Sequence, residues 1–249
     1  MIDIHCHLLP GIDDGVKTLD ESMQVLRQAE REGVTDIILT PHYMKGTVYN
    51  ADNLKKWQLL QELKERAKKE GISVRFYLGN EIYIDEQLPD MLKGYTGEPV
   101  AESEKELIYQ VSTLNSKRYV LIELPVQNED KSAKQTLFRL VQKGFIPIIA
   151  HPERYFYVQR DEHYVDDLVK AGCLLQGDYL ALTGKYGKAA EKTLKKLLFA
   201  DKIFCLASDM HKPGEGYKLD VTRKKLMRIV KNQAKIKELL EDNPKRILG

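Results

Sequence analysis

Short continuous runs of Ile, Leu and Val alternate along the chain with longer stretches in which apolar residues recur every three or four positions. The runs lie at residues 2–5, 36–40, 74–79, 119–124, 146–150, 173–176 and 203–207. They are of strand length and mostly lack in–out alternation, as parallel strands covered on both faces do. Helical periodicity fills the gaps at 19–32, 52–70, 131–143, 161–171, 186–200 and 220–232. Gly33, Gly71, Gly144 and Gly172 follow four of these stretches, where a helix C-terminus favours glycine. Seven strand–helix units without a low-complexity linker predict an α/β fold in one domain, 1–249: a distorted seven-stranded (β/α) TIM-like barrel. An open doubly wound sheet is the alternative. Residues 88–97 read as a surface excursion before a short amphipathic helix at 104–112.

Composition narrows the class. With 43% hydrophobic residues and a net charge of +2, the chain of 249 residues can fill a large core and is not a disordered polyelectrolyte. Basic residues are interleaved with acidic ones on the helical stretches, so no nucleic-acid partner is expected. Three cysteines, none in a CxxC pair, give neither a disulfide framework nor a zinc ribbon. No apolar run reaches the length of a membrane span and no leader pattern is seen, so a cytoplasmic protein without membrane insertion is expected.

The chemistry is concentrated where the apolar runs stop. In a parallel barrel, catalytic groups sit at the C-terminal ends of strands. The first run ends in His5 and His7, the second leads to His42, the third to Glu81 and the fourth to Glu123. The fifth leads to His151 and then Arg154, and the last to Asp209 and His211; Asp13 and Asp14 sit in a glycine-bearing loop after the first pair. Five of the six histidines thus fall at strand ends, while His163 lies in a charged helical stretch and reads as a surface residue. Any one such histidine is ordinarily structural, but their joint recurrence points to a site. Imidazole with carboxylate and no thiolate suits Mn, Fe or Zn. The set of His5, His7, Asp14, His42, Glu81, Glu123, His151, Asp209 and His211 is too large for one ion. A cluster of two or three ions lowers the pKa of bound water and clamps phosphoryl oxygens. Arg154 offers a guanidinium fork for phosphate. His5-Cys6 is not the start of a cysteine-phosphatase loop, because the position six beyond Cys6 is Ile12 instead of arginine. No Walker loop, GxSxG elbow or GxGxxG fingerprint occurs, and residues 183–187 read as a turn entering a helix.

The opening Met1–Gly15, with His5-Cys6-His7, resembles that of the PHP (polymerase and histidinol phosphatase) superfamily. The further motifs Thr40-Pro41-His42, Asn80-Glu81-Ile82-Tyr83, Ile122-Glu123, Ala150-His151-Pro152-Glu153-Arg154-Tyr155 and Ala207-Ser208-Asp209-Met210-His211 resemble the branch of bacterial protein-tyrosine phosphatases of capsular and exopolysaccharide operons. The resemblance spans essentially the whole chain. It implies three divalent ions, often manganese: one on His5, His7, Glu81 and Asp209, one on Glu81, Glu123 and His151, one on Asp14, His42 and His211. It further implies Arg154 as the phosphate-binding residue, hydrolysis by a metal-activated hydroxide, and the phosphotyrosine tail of a bacterial tyrosine kinase as substrate. His42 and His211 join Arg154 as candidate catalytic residues, with no general acid assigned. Manganese identity, with Fe or Zn as alternatives, and the oligomeric state stay open.

The chain departs from that pattern after His211, where many relatives carry a second arginine. Here Lys212-Pro213-Gly214-Glu215-Gly216-Tyr217 has none, leaving Lys212 or Lys218 as substitutes. Gln176-Gly177-Asp178-Tyr179 also lacks the small polar residues expected there. A small-molecule phosphatase acting on histidinol phosphate, or an inactive metal-bearing scaffold, are the rival readings.

Overall fold

The computed structural model describes residues 1–92 and 111–249. Among these described residues nine strand segments run in chain order as β1 (Ile2–Cys6), β2 (Asp36–Leu39), β3 (His42–Tyr43), β4 (Arg75–Leu78), β5 (Glu81–Tyr83), β6 (Tyr119–Glu123), β7 (Ile146–Ala150), β8 (Leu174–Asp178) and β9 (Cys205–Ala207). The helices are α1 (Leu19–Arg31), α2 (Asn53–Lys69), α3 (Leu88–Met91), α4 (Ala133–Gln142), α5 (Phe156–Arg160), α6 (Tyr164–Lys170), α7 (Gly187–Phe199), α8 (Leu219–Val230), α9 (Gln233–Lys237) and α10 (Asn243–Leu248). The predicted helix at 104–112 falls almost wholly outside the described residues.

All strand pairings are parallel, in the orders β1-β2-β4 and β3-β5-β6-β7-β8-β9. Nine segments arise from seven predicted runs because two runs break and resume. One break is at Pro41, which has no N–H for a ladder, and the other is at Gly79-Asn80. The resumed pieces put His42 and Glu81 in direct register. A parallel bridge, Cys6 to Met210, brings the chain after β9 beside β1; there Asp209 N–H donates to His5 O and His7 N–H to Met210 O, at 2.9 and 2.8 Å.

The strands hold two apolar layers. Ile2, Ile4, Ile38, Leu121, Ile148, Ala150 and Ala207 form an inner cluster joined by Ile247 of α10. Val25, Leu26, Leu63, Leu137, Leu140, Leu194 and Leu197 lie in the larger cluster with the outer strand faces, on helical positions three and four apart. Thr18 caps α1 by accepting from Glu21 N–H (3.2 Å), and Asp52 caps α2 by accepting from Lys55 N–H (2.8 Å). Gly33 and Gly144, beyond α1 and α4, take φ of +84° and +82°, the left-handed geometry expected of them.

Two helical stretches differ from the sequence reading. The stretch expected as helix at 161–171 starts only at Tyr164, after a separate short α5. The helix expected at 220–232 ends at Val230, and α9 with α10 follows where no element was predicted. Lys231, just beyond α8, takes the left-handed conformation, and Asn232 caps the next helix, its side chain accepting from Ala234 and Lys235 N–H groups at 3.0 and 3.2 Å.

Lys56 of α2 is fully buried and donates to Asn80 Oδ1 and Ser112 Oγ. Burial lowers its pKa to about 7. Between that value and its unfolded value the unfolded chain binds more protons, so this group makes the fold more stable as pH rises from about 7 toward 10. In Lys56→Met the pH-dependent part is absent: denaturant titrations at pH 7 and 9.5 are expected to show the wild type gaining on the variant by on the order of a few kcal/mol. An equal difference at both pH values would refute it.

Candidate metal and phosphate site

All nine predicted donor residues, and Arg154, meet at the C-terminal ends of the strands. His5, His7, Glu81 and Asp209 form one group, His7, Asp14, His42 and His211 a second, and His42, Glu81 and Glu123 a third. Glu81 Oε2 lies 3.0 Å from His5 Nε2, 3.3 Å from His7 Nε2 and 3.1 Å from His42 Nδ1. Its other oxygen is 2.8 Å from His151 Nε2, which is 3.9 Å from Glu123 Oε1. Asp209 Oδ1 lies 3.2 and 3.3 Å from the Nε2 atoms of His5 and His7.

The backbone is bent to aim these groups. The register of β1 against β2 shifts between Asp3 and Cys6, at His5. His151 and Asp209 take φ of +32° and +47°, a conformation that costs non-glycine residues energy. Asp3 pins the second of these turns: its carboxylate accepts from Ser208 N–H at 3.0 Å and Ser208 Oγ–H at 2.5 Å.

A second tier of acceptors sets the ring orientations. His5 Nδ1 meets Gln176 Oε1 at 2.8 Å, His7 Nδ1 meets Asp13 Oδ2 at 2.7 Å, and His211 Nδ1 meets Asp209 O at 2.9 Å. With Nδ1–H donated outward, Nε2 of each ring presents its lone pair inward, as in carboxylate–histidine–metal arrangements. Gln176 and Asp13 are contacts of the donor rings that strand-end reasoning did not assign.

The donors fit cations and little else. Glu81 Oε2 and Asp209 Oδ1 are buried without hydrogen-bond partners, and the Nε2 atoms of His5 and His7 face each other at 3.2 Å. Burial alone lowers the His5 pKa, but Glu81 and Asp209 outweigh it and raise it to about 9. Burial, with Glu81 nearby, pushes Glu123 up to about 8. Burial and the Arg154 charge lower His151 to about 4. A bound divalent charge favours the ionised carboxylates and neutral imidazoles that ligation needs.

Above the donors is a cavity of about 250 Å³, walled by Asp14, His42, Glu123, Arg154 and His211 and, on one side, by Met44 and Tyr49. Arg154 Nη1 donates to Asp209 Oδ2 at 2.6 Å, and its guanidinium lies 4.6 Å from the centre of the Tyr186 ring. Lys185 Nζ lies 4.8 Å from that ring and pairs with Glu215 at 3.1 Å. The turn at 183–187, read from sequence as a connector, thus brings a cation and an aromatic platform to the rim. Lys212 is exposed, and Lys218 occupies the left-handed turn into α8, its N–H donating to Glu32. His163 pairs with Asp166 on the exposed face of α6, away from the site.

The family model for capsular polysaccharide synthesis, CpsB/CapC, matches residues 1–249. The chain belongs to the CpsB/CapC family. It is 34% identical over 212 residues to the tyrosine-protein phosphatase YwqE of Bacillus subtilis, covering 85% of this chain and 77% of that one. It is 31% identical to the tyrosine-protein phosphatase CpsB of Streptococcus pneumoniae, covering 100% of this chain and 98% of that one. In structure it superposes with a TM-score of 0.87 and 30% identity on a chain from the work on YwqE and CpsB, described as metal-dependent tyrosine phosphatases, over 100% of this chain and 94% of that one. Among the described residues, no helix of this CpsB/CapC protein is long and apolar enough to cross a membrane.

Close packing under the site makes one substitution severe. A Cβ on Gly15 would lie 2.2 Å from His7 O and 2.5 Å from His7 Cβ. Gly15→Ala must therefore push the Asp13–Asp14 loop away from His7, at a cost of about 1–3 kcal/mol. Lower thermal stability together with reduced metal content is expected. A variant with wild-type metal stoichiometry would show that the loop yields without disturbing His7.

Proposed function

We propose that this protein is a manganese-dependent protein-tyrosine phosphatase. Its proposed substrate is phosphotyrosine on the tail of a bacterial tyrosine kinase that regulates capsular or exopolysaccharide synthesis. One observation carries the reading: a forked cation, Arg154, stands at the mouth of a cavity over converging imidazole and carboxylate atoms, among which Glu81 Oε2 and Asp209 Oδ1 are buried without hydrogen-bond partners. The names of the relatives support phosphotyrosine as the substrate class.

His5, His7, Asp14, His42, Glu81, Glu123, His151, Asp209 and His211 would hold the ions, three in the fullest reading. When bound, such ions supply Lewis-acid charge and bring the pKa of water toward neutrality. The chain's own groups do the rest. Arg154 is held in place before substrate arrives, by Asp209 and the Tyr186 ring, and can fork two phosphoryl oxygens. His42 and His211 line the cavity with partly exposed rings and are the candidates to assist the leaving oxygen. The tyrosine phenolate, with a pKa of about 10, needs less help in leaving than an alkoxide.

The test is phosphate release with Mn²⁺ from a tyrosine-phosphorylated kinase tail and from histidinol phosphate at matched concentrations. Preference for the tail of about tenfold in kcat/KM, roughly 1.4 kcal/mol, is expected. Preference for histidinol phosphate would overturn the substrate class while keeping the metal chemistry. Silence on both would overturn the enzymatic reading.

A further inference from the structure

The charged lining of the cavity accounts for the phosphoryl end of a substrate and leaves its ester group without a partner. The apolar part of the wall comes from one segment, Met44 and Tyr49 between β3 and α2. That segment is tied to itself. Met44 N–H donates to Tyr49 O at 2.6 Å, Thr47 hydroxyl donates to Met44 O at 2.7 Å, and Tyr49 N–H donates to Thr47 Oγ1 at 3.1 Å. Gly46, at φ +75°, makes the tight return that these bonds close. The Tyr49 ring is thereby held 5.9 Å from the His42 ring, at 26° between planes, beside a donor of the metal site. At the tip of the loop Val48 is 84% exposed.

We propose that Tyr49, with Met44, is the wall that receives the aromatic ring of an aryl phosphomonoester, so that the 44–49 loop sets the preference for aryl over alkyl esters. The proposal rests on the phosphotyrosine reading. A phenyl ring leaving the phosphoryl site on this side meets a fixed tyrosine face and a polarisable thioether, both favourable partners for an aromatic. An alkyl ester offers no ring to either. Because the loop backbone is fixed by its own hydrogen bonds and the ring lies beside that of His42, less of this wall has to be ordered on binding.

The test uses the full chain with Mn²⁺ and compares wild type, Tyr49→Ala and Tyr49→Phe. Inhibition constants are measured for phenylphosphonate and methylphosphonate, which occupy the phosphoryl site without turnover. Tyr49→Ala is expected to weaken phenylphosphonate by about tenfold while methylphosphonate changes by less than about threefold, and Tyr49→Phe is expected to keep the wild-type preference. Equal weakening of both ligands would overturn the proposal, because Tyr49 would then act only through His42. No change in either would overturn it too. If Tyr49→Ala fails to fold, Tyr49→Leu carries the same comparison. Turnover of a phosphotyrosine peptide by the wild type decides the functional reading separately. An inactive wild type that prefers phenylphosphonate would sink that reading alone, and an active one whose preference survives Tyr49→Ala would sink the aryl wall alone.

Discussion

Arg154→Ala is expected to lower kcat/KM for a phosphotyrosine peptide by about 10²–10³-fold, about 3–4 kcal/mol of transition-state stabilisation, with bound metal unchanged. The magnitude follows from preorganisation. The guanidinium is already fixed by a 2.6 Å bond to Asp209 Oδ2 and by the Tyr186 ring, so no ordering cost is left for the reaction to meet. The metal should stay because arginine is not a donor, and its removal leaves Asp209 with one cation fewer to share. Arg154→Lys should recover only part of the loss, since an ammonium keeps the charge but cannot fork two oxygens. Steady-state kinetics with parallel metal analysis settles it: activity within threefold of wild type would remove Arg154 from the phosphoryl site.

Glu81→Gln should be more damaging still, by about 10³-fold or more in kcat/KM, and should lower metal stoichiometry as well. Glu81 belongs to two of the three donor groups and touches four histidines. The amide keeps the shape, removes the charge, and turns an N–H₂ toward at least one of the sites the carboxylate serves. Stability should fall in the metal-free protein too. Burial alone would raise the Glu81 pKa, but His5 and His42 outweigh it and hold the carboxyl well below its usual range, so unloaded Glu81→Gln is expected to melt lower than unloaded wild type at neutral pH, and to gain less on addition of Mn²⁺. Calorimetry with and without chelator measures both. Full metal content in the variant would dismiss Glu81 as the shared ligand.

How much of this was legible in sequence depended on which signal carried it. The strands were readable because buried parallel strands leave uninterrupted apolar runs, and donors such as His151 and Asp209 were readable because a polar residue ending such a run has few structural reasons to be there. The interruptions at Thr40-Pro41 and Gly79-Asn80 were not read, although proline and glycine-asparagine were in plain view, since a two-residue break at the end of an apolar run does not disturb its pattern. Yet those breaks put His42 and Glu81 side by side. Gln176, Lys185, Tyr186 and Tyr49 escaped for another reason. Each reaches the site through tertiary packing, from a strand interior or a turn, and carries no local pattern. Lys212 and Lys218 could be named as cations because they follow His211 in sequence; Lys185, which lies beside the Tyr186 ring, arrives from the turn before α7, and chain proximity gave no sign of it. The elements α9 and α10 are too short, and too interrupted by Asn232 and Pro244, for periodicity to detect.

The left-handed backbone at His151 and Asp209, beside carboxylate oxygens with no partners, has a consequence beyond chemistry. A chain built this way stores backbone strain around donors that must give up protons to take a cation, so ligation and folding draw on the same free energy. In a growing cell, scarcity of the ion would therefore thin out the protein itself, as unloaded molecules unfold more often and fall to proteases. Supply of a trace nutrient would then govern how many copies persist, and through them the pace of whatever phosphorylation cycle they close.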